Sequence, residues 1–89
     1  MDVSFSDSFK KTFRKRTKSP VLEKEFWFRL ELFIKNPFDP KLKTYKLSGK
    51  LKGLWSFYVD YDFRVVFYFT KKKPKKAVFI DIGTHDEVY

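Results

Sequence analysis

The sequence contains no cysteine, and this absence removes several classes of protein at once. Without thiols the chain has no disulfide framework, no thiolate metal site and no Cys-His catalytic pair, and small secreted domains usually need disulfides. No stretch approaches the roughly 18 uncharged apolar residues of a membrane span, and the first residues lack the apolar run of a signal peptide. We therefore expect a cytoplasmic protein with no membrane partner.

The sequence also lacks the common motifs of hydrolases and nucleotide-binding proteins. GxSxG, a P-loop and GxGxxG are absent, and the only histidine is His85. Asp60 and Asp62 could together bind Mg²⁺, but two carboxylates at a hairpin tip more often form the turn itself, because aspartate hydrogen-bonds its own backbone. We therefore expect neither a metal nor a cofactor.

Aromatic residues are abundant: they make up 21% of the 89 residues and include 12 phenylalanines. A domain this small hides only about 60% of the surface that its unfolded chain exposes, so its core must be dense. Phenylalanine supplies much buried area at modest entropic cost. Residues 1–89 are accordingly expected to form one domain with a phenylalanine core.

Positive charge is the second excess, because 20 lysines and arginines against 11 acidic residues give a net charge of +9. The charge is concentrated in three blocks, which run from Lys10 to Lys18, from Lys41 to Lys52 and from Lys71 to Lys76. Each block alone could be ordinary solvated surface. Three blocks in one small domain favour salt-dependent binding of a polyphosphate, with nucleic acid ahead of an acidic protein or a membrane surface.

Apolar spacing predicts two helices in the first part of the chain. The first extends from about Ser6 to Lys18, with Phe9 and Phe13 on one face. The second extends from Pro20 to about Lys35, and Ser19 is its expected N-cap. Two prolines between Asn36 and Pro40 then end helical structure.

From residue 44 onward, β-branched and aromatic residues predict four strands. These strands are a short one around Tyr45 and Leu47, then Leu54 to Asp60, Phe63 to Thr70 and Lys76 to Ile82. Tight turns between the later strands predict an α+β fold, in which two N-terminal helices pack on one face of a small antiparallel meander sheet. Alternation along the third strand places Arg64 on the other, open face. A salt bridge to Asp60, Asp62 or Asp81 and an anion-binding role explain such an arginine equally well.

The segment Ile82 to Tyr89 ends a strand, turns at Gly83 and then presents His85, the one side chain that titrates near neutrality. A single histidine is more often an ordinary surface or core residue. RNA cleavage without a metal, however, needs a base for the ribose 2′-OH, a cation for the phosphorane and an acid for the leaving 5′-oxygen. His85, Arg64 with Lys52, and Tyr89 are the residue types that match.

The sequence resembles the RelE/ParE superfamily of type II toxin–antitoxin toxins, and within it the YafQ-like mRNA interferase branch. The matching segments, in order along the chain, are Phe13–Arg16, Asn36–Pro40, Tyr45–Gly49, Leu54–Ser56, Tyr61–Phe67 and Asp81–Tyr89. The resemblance implies a RelE-like fold, ribosome-dependent cleavage of mRNA and neutralisation by a separately encoded antitoxin.

By position, the resemblance makes His85 the histidine of the C-terminal motif, Tyr89 its closing aromatic residue and Arg64 the phosphate-contacting strand arginine. Lys50 and Lys52 fall near the lysines that line RelE-type sites, and we expect Lys46, Lys50, Tyr45 and Trp55 to contact RNA. For Trp55, core packing is the stronger expectation. YafQ-like toxins tend to have further histidines, and this chain has Tyr45 where one would stand. The resemblance therefore implies a site in which positive side chains and tyrosines supplement one histidine.

Two other functions remain open at this stage, because a fold does not fix a function. ParE-like relatives inhibit DNA gyrase without catalysis, although His85 weighs against that role. A decayed relative would retain only antitoxin binding and operator regulation.

Overall fold

A computed structural model describes all of residues 1–89 and contains three α-helices and one five-stranded sheet. In chain order the elements are β1 (Asp2–Phe5), α1 (Asp7–Arg16), α2 (Pro20–Lys35), β2 (Tyr45–Lys46), β3 (Trp55–Asp60), β4 (Phe63–Phe69), β5 (Lys76–Thr84) and α3 (His85–Val88). Short 3-10 turns at Pro40–Leu42 and Gly49–Leu51 lie on either side of β2. None of the helices has the length and apolar character that crossing a bilayer requires.

Both long helices begin at the serines that the sequence indicates. The Ser6 hydroxyl accepts a hydrogen bond from the Phe9 N–H, and the Ser19 hydroxyl accepts one from the Leu22 N–H. Such N-caps satisfy backbone donors that have no partner within the helix. The two predicted helices are confirmed with small shifts at their ends.

The strand order is β1-β5-β4-β3-β2. Strands β2 to β5 form the predicted antiparallel meander, and the α+β fold is confirmed. The structure adds one strand that the sequence did not predict: β1 lies at the edge of the sheet and pairs in parallel with β5, with Val3 opposite Ala77. A four-residue strand whose partner lies at the other end of the sequence has no hairpin turn to reveal it.

The core fills the space between the two long helices and one face of the sheet, and Phe79 on β5 lies at its centre. Six phenylalanine rings have centroids between 5.2 and 6.5 Å from the ring of Phe79; they belong to Phe5, Phe9, Phe26, Phe33, Phe57 and Phe67. Val65 and Phe67 face this core, as their alternation along β4 predicts. The two long helices leave the other face of the sheet free, and the short helix α3 packs on part of it next to Arg64, whose side chain is 24% exposed.

Candidate active site

The open face of the sheet carries two neighbouring rows of cross-strand residues. Directly opposed residues point to the same side of a sheet, so the register gives each row. One row consists of Tyr45, Ser56, Val66 and Asp81, and the next consists of Tyr58, Arg64 and Gly83. The pairing of β2, β3 and β4 therefore places two of the predicted site residues, Tyr45 and Arg64, on the same face of the sheet although they are far apart in sequence.

The short helix α3 follows β5 without a linker and presents His85 to solvent. The Thr84 N–H donates a hydrogen bond of 2.7 Å to the Glu87 carboxylate, and the Thr84 hydroxyl accepts one from the Glu87 backbone N–H, which completes a capping box. The side chain of His85 is 56% exposed, and its Nδ1 lies 3.3 Å from the Asp86 carboxylate. His85 is thus accessible to a polymeric substrate.

Tyr89 links His85 to the open face. Its ring meets the His85 ring edge-on, with centroids 4.7 Å apart, and its hydroxyl lies 2.7 Å from the Tyr45 hydroxyl. Burial, followed by the hydrogen bond with Tyr45, raises the pKa of Tyr89 to about 12, and the positive charge of Arg64 offsets part of that rise. Tyr89 is therefore a neutral hydroxyl throughout the physiological range.

Arg64 is half-buried and only loosely paired. Its Nη2 lies 3.8 Å from the Asp62 carboxylate, at the long end of ion-pair distances, while its Nε is buried without a hydrogen-bond partner. Asp81, another partner considered from the sequence, is bonded instead to Arg16 at 3.0 Å. A buried donor without a partner is costly, so an anion placed beside Arg64 would relieve that cost.

Lys46 and Trp55 lie at the edge of the sheet beside Tyr45, but on the side that faces the helices. Trp55 pairs with core residue Phe67, and its ring packs against Phe38 and Phe69 at centroid distances of 5.4 and 5.5 Å. The Lys46 ammonium lies 5.4 Å from the centre of the Trp55 ring, within range of a cation–π interaction. The structure thus separates this pair from His85 and Arg64, and Trp55 has the packing role that the sequence favoured for it.

Lys50 and Lys52 are exposed in the loop between β2 and β3. A hollow of about 530 Å³ is lined by Lys46, Lys52 and Trp55 with the intervening loop. A second hollow of about 270 Å³ shares Lys46 and is bordered by Tyr45 and Tyr89. The loop therefore places exposed positive charges around the edge of the sheet next to the tyrosine pair.

Arg16, Ser56 and Glu87 are part of this neighbourhood and did not emerge as candidates from the sequence. Ser56 is fully buried in the row between Tyr45 and Val66, and it belongs to the matching segment Leu54–Ser56, which assigns it no role. For Glu87 a signal existed, since Thr-x-x-Glu is the pattern of a capping box and here predicts a helix starting after Thr84. Arg16 belongs both to the first basic block and to the matching segment Phe13–Arg16, and neither indicates its contacts.

The fold defines a class of protein: small α+β proteins that include bacterial type II toxins. No family model and no curated protein sequence matches the chain. Among solved structures, a histidine-to-glutamine variant of YafQ from E. coli superposes with a TM-score of 0.80 at 22% identity, covering 99% of this chain and 97% of YafQ. The metal-bound toxin from Helicobacter pylori superposes with a TM-score of 0.78 at 22% identity, covering 100% of this chain and 99% of that toxin. YafQ in the E. coli DinJ-YafQ toxin–antitoxin complex superposes with a TM-score of 0.72 at 24% identity, covering 99% of this chain and 96% of YafQ. The RelE-like fold is thereby confirmed.

Proposed function

We propose that the chain is the toxin of a type II toxin–antitoxin system, and that it cleaves mRNA on the ribosome in the cytoplasm. The observation that carries the proposal is the assembly of His85, Tyr89, Tyr45 and Arg64 on one uncovered surface of a strongly basic domain. The resemblance of the sequence to YafQ-like toxins supports it, and so does the shared fold.

In this proposal the reaction is an attack by the ribose 2′-oxygen on the adjacent phosphorus. His85 accepts the proton of the 2′-hydroxyl, because its imidazole offers a ring nitrogen as the acceptor and its side chain is 56% exposed. The bond from phosphorus to the 5′-oxygen breaks, and that oxygen leaves with a proton. The products are a 2′,3′-cyclic phosphate and a 5′-hydroxyl, and no metal is required for the balance of atoms.

Tyr89 is the proposed donor of that second proton. With a pKa of about 12 it is protonated at neutral pH, so it can donate a proton and cannot serve as a base. The same pKa makes it a weaker acid than an imidazolium, and general acids work best when their pKa is near the working pH. The hydrogen bond with Tyr45 holds the Tyr89 hydroxyl in place, and the proton that His85 accepted returns to the Tyr89 phenolate through solvent.

Arg64 supplies the positive charge that the phosphorane needs. The contact of its Nη2 with Asp62 is long, so a phosphate oxygen that replaces the carboxylate there would gain a charge-assisted hydrogen bond without breaking a strong one. Lys46, Lys50 and Lys52 are proposed to hold the flanking phosphates electrostatically. Binding through them should weaken steeply as salt rises.

Pulse-labelling of cells after induction tests the proposal against its main competitor. Early loss of protein synthesis with shortened mRNA is the expected result. Early arrest of DNA synthesis with intact mRNA would contradict it and favour gyrase inhibition, whereas undisturbed growth in the absence of any antitoxin would indicate a decayed toxin.

The antitoxin is proposed to be acidic where it contacts the helical face. A pocket of about 250 Å³ opens there between α1 and α2, lined by Phe5, Phe9, Phe13, Phe26 and Trp27 and bordered by Lys10 and Arg14. An apolar anchor flanked by carboxylates fits a hollow of this composition. The E. coli relative YafQ forms a complex with DinJ, which supports an antitoxin partner here.

Replacement of Trp27, which is 43% exposed at this pocket, tests the docking surface. Trp27→Ala should weaken rescue of growth by a co-expressed antitoxin, because aromatic anchors often contribute 2 kcal/mol or more, roughly thirtyfold in affinity. Val21→Ala, on the same helix at a residue 73% exposed, is the matched control. Equal rescue of both variants would exclude this pocket as the docking surface.

A further inference from the structure

Strand β5 has an incompletely paired edge close to the proposed site. β1 pairs only with Lys76 to Phe79, so the outer edge of β5 from Ile80 onward has no neighbouring strand. Helix α1 supplies the missing donors: the Ser8 hydroxyl donates to the Ile80 carbonyl at 2.8 Å, and Arg16 Nη1 donates to the Ile82 carbonyl at 3.1 Å. The side chains of α1 thus replace a strand along the segment that leads into α3.

Arg16 makes two ionic contacts beyond that carbonyl. Its Nη1 lies 3.0 Å from the Asp81 carboxylate, and its Nε lies 3.7 Å from the Glu87 carboxylate. Glu87 in turn accepts the Thr84 N–H, and this bond, followed by the charge of Arg16, holds the pKa of Glu87 below its ordinary value. One guanidinium therefore connects the end of β5 with the first turn of α3.

Gly83 permits this close approach. A Cβ at Gly83 would stand 2.8 Å from Arg16 Nη1 and 2.8 Å from Glu87 Oε1, so any larger residue would displace the ionic contacts. The backbone of Gly83 does not have a positive φ, and its small size is what the site uses. The packing leaves room for the guanidinium and for little else.

Helix α3 has only four residues, and a helix of that length has no stability of its own in water. Its orientation must come from contacts at its ends. Within α3 the side chain of Val88 is buried, and the side chain of Glu87 is held by its contacts with Thr84 and Arg16. His85 and Tyr89 are carried by the same turn, so their positions depend on those contacts.

We propose that Arg16 is a positioning residue for the active site: through Asp81 and Glu87 it fixes α3 so that His85 and Tyr89 face the RNA. The effect of Arg16 on RNA cleavage rests on the proposed function, whereas its effect on the position of α3 does not. Arg16 itself contacts no substrate and takes no part in proton transfer.

NMR spectroscopy of the full chain tests the positioning directly, because His85 is the sole histidine and its imidazole signals are unambiguous. In the native arrangement the Tyr89 ring lies 4.7 Å from the imidazole and shifts those signals. Arg16→Gln should move them toward the values of an unstructured peptide. Arg16→Lys should give an intermediate spectrum, because an ammonium keeps the charge but lacks the fork that reaches Asp81 and Glu87 together.

Lys24→Gln is the matched control, since it removes one positive charge from an exposed helical position outside the three basic blocks and the proposed site. It should leave the His85 signals unchanged. Glu87→Gln is a second variant. It weakens the ion pair between Arg16 and Glu87 by an isosteric change at an exposed position, so the test still applies if Arg16→Gln folds poorly. His85 signals that stay at their wild-type positions in Arg16→Gln, or in Glu87→Gln where the former is unfolded, would overturn the inference.

Cleavage is measured on the same variants. Arg16→Gln should lose on the order of 10² in rate, the loss that a displaced catalytic group can cause, while Lys24→Gln retains wild-type cleavage. The NMR measurement needs no RNA. If wild-type protein cleaved no mRNA, the proposed function would fail, and the His85 signals would still decide the role of Arg16.

Discussion

Replacing Tyr89 by phenylalanine removes one hydroxyl and leaves the aromatic ring against His85. The hydroxyl makes one hydrogen bond, 2.7 Å from the Tyr45 hydroxyl at a partly exposed position. A hydrogen bond of this kind contributes about 0.5 to 1.5 kcal/mol net, and exposure puts this one at the low end. For a chain of this size, a loss of about 0.5 kcal/mol lowers the melting temperature by roughly 2 to 4 °C.

The effect on cleavage should be much larger than the effect on stability. Loss of a general acid costs on the order of 10² to 10⁴ in rate, and the high pKa of Tyr89 places the expected loss near 10². Thermal unfolding and ribosome-dependent cleavage are measured on the same preparations. Tyr61→Phe, at a side chain 91% exposed on the hairpin tip, is the control. Cleavage by Tyr89→Phe within about threefold of wild type, at unchanged salt and pH, would refute the role of the hydroxyl as the acid.

Four further outcomes are expected. Arg64→Gln should reduce cleavage strongly yet change the free energy of unfolding by no more than about 1 kcal/mol in denaturant titrations, because its ion pair with Asp62 is long. An alkaline ultraviolet titration should show one of the five tyrosines ionising near pH 12, and Tyr89→Phe should abolish that step. The stability that protonated Tyr89 contributes should be complete below about pH 10 and decline as the pH rises toward 12, since the unfolded chain loses that proton more easily. Phe79→Ala should cost about 3 to 5 kcal/mol by thermal or chemical unfolding, a large part of the roughly 4 to 13 kcal/mol expected for this length.

The helices and the meander could be predicted because their determinants are local. Ser6 and Ser19 mark helix starts, and the tight Asp60-Tyr61-Asp62 turn marks a hairpin, within a few residues of the structures they specify. No cap residue or turn sequence of this kind indicates strand β1. Its four residues become a strand only because β5 offers a free edge, which is a property of the assembled sheet.

The candidate site divides in the same way. The choice of His85 as the acid–base candidate follows from its residue type, and the position of Arg64 on the open face follows from alternation along β4. The bond between Tyr45 and Tyr89, the unpartnered Nε of Arg64 and the contacts of Arg16 join segments far apart in sequence. Their distances depend on how α1, β2 and α3 come together around the sheet, and no pattern within one segment encodes them.

Primer extension on mRNA recovered with ribosomes, comparing wild type with His85→Ala, tests the central claim most directly. His85 is exposed and carries no core contact, so the variant should fold and bind RNA normally. Wild-type protein should produce discrete new 5′ ends, and His85→Ala should lose on the order of 10² to 10⁴ in cleavage rate. Undiminished cleavage by the folded variant would contradict the assignment of His85 as the base.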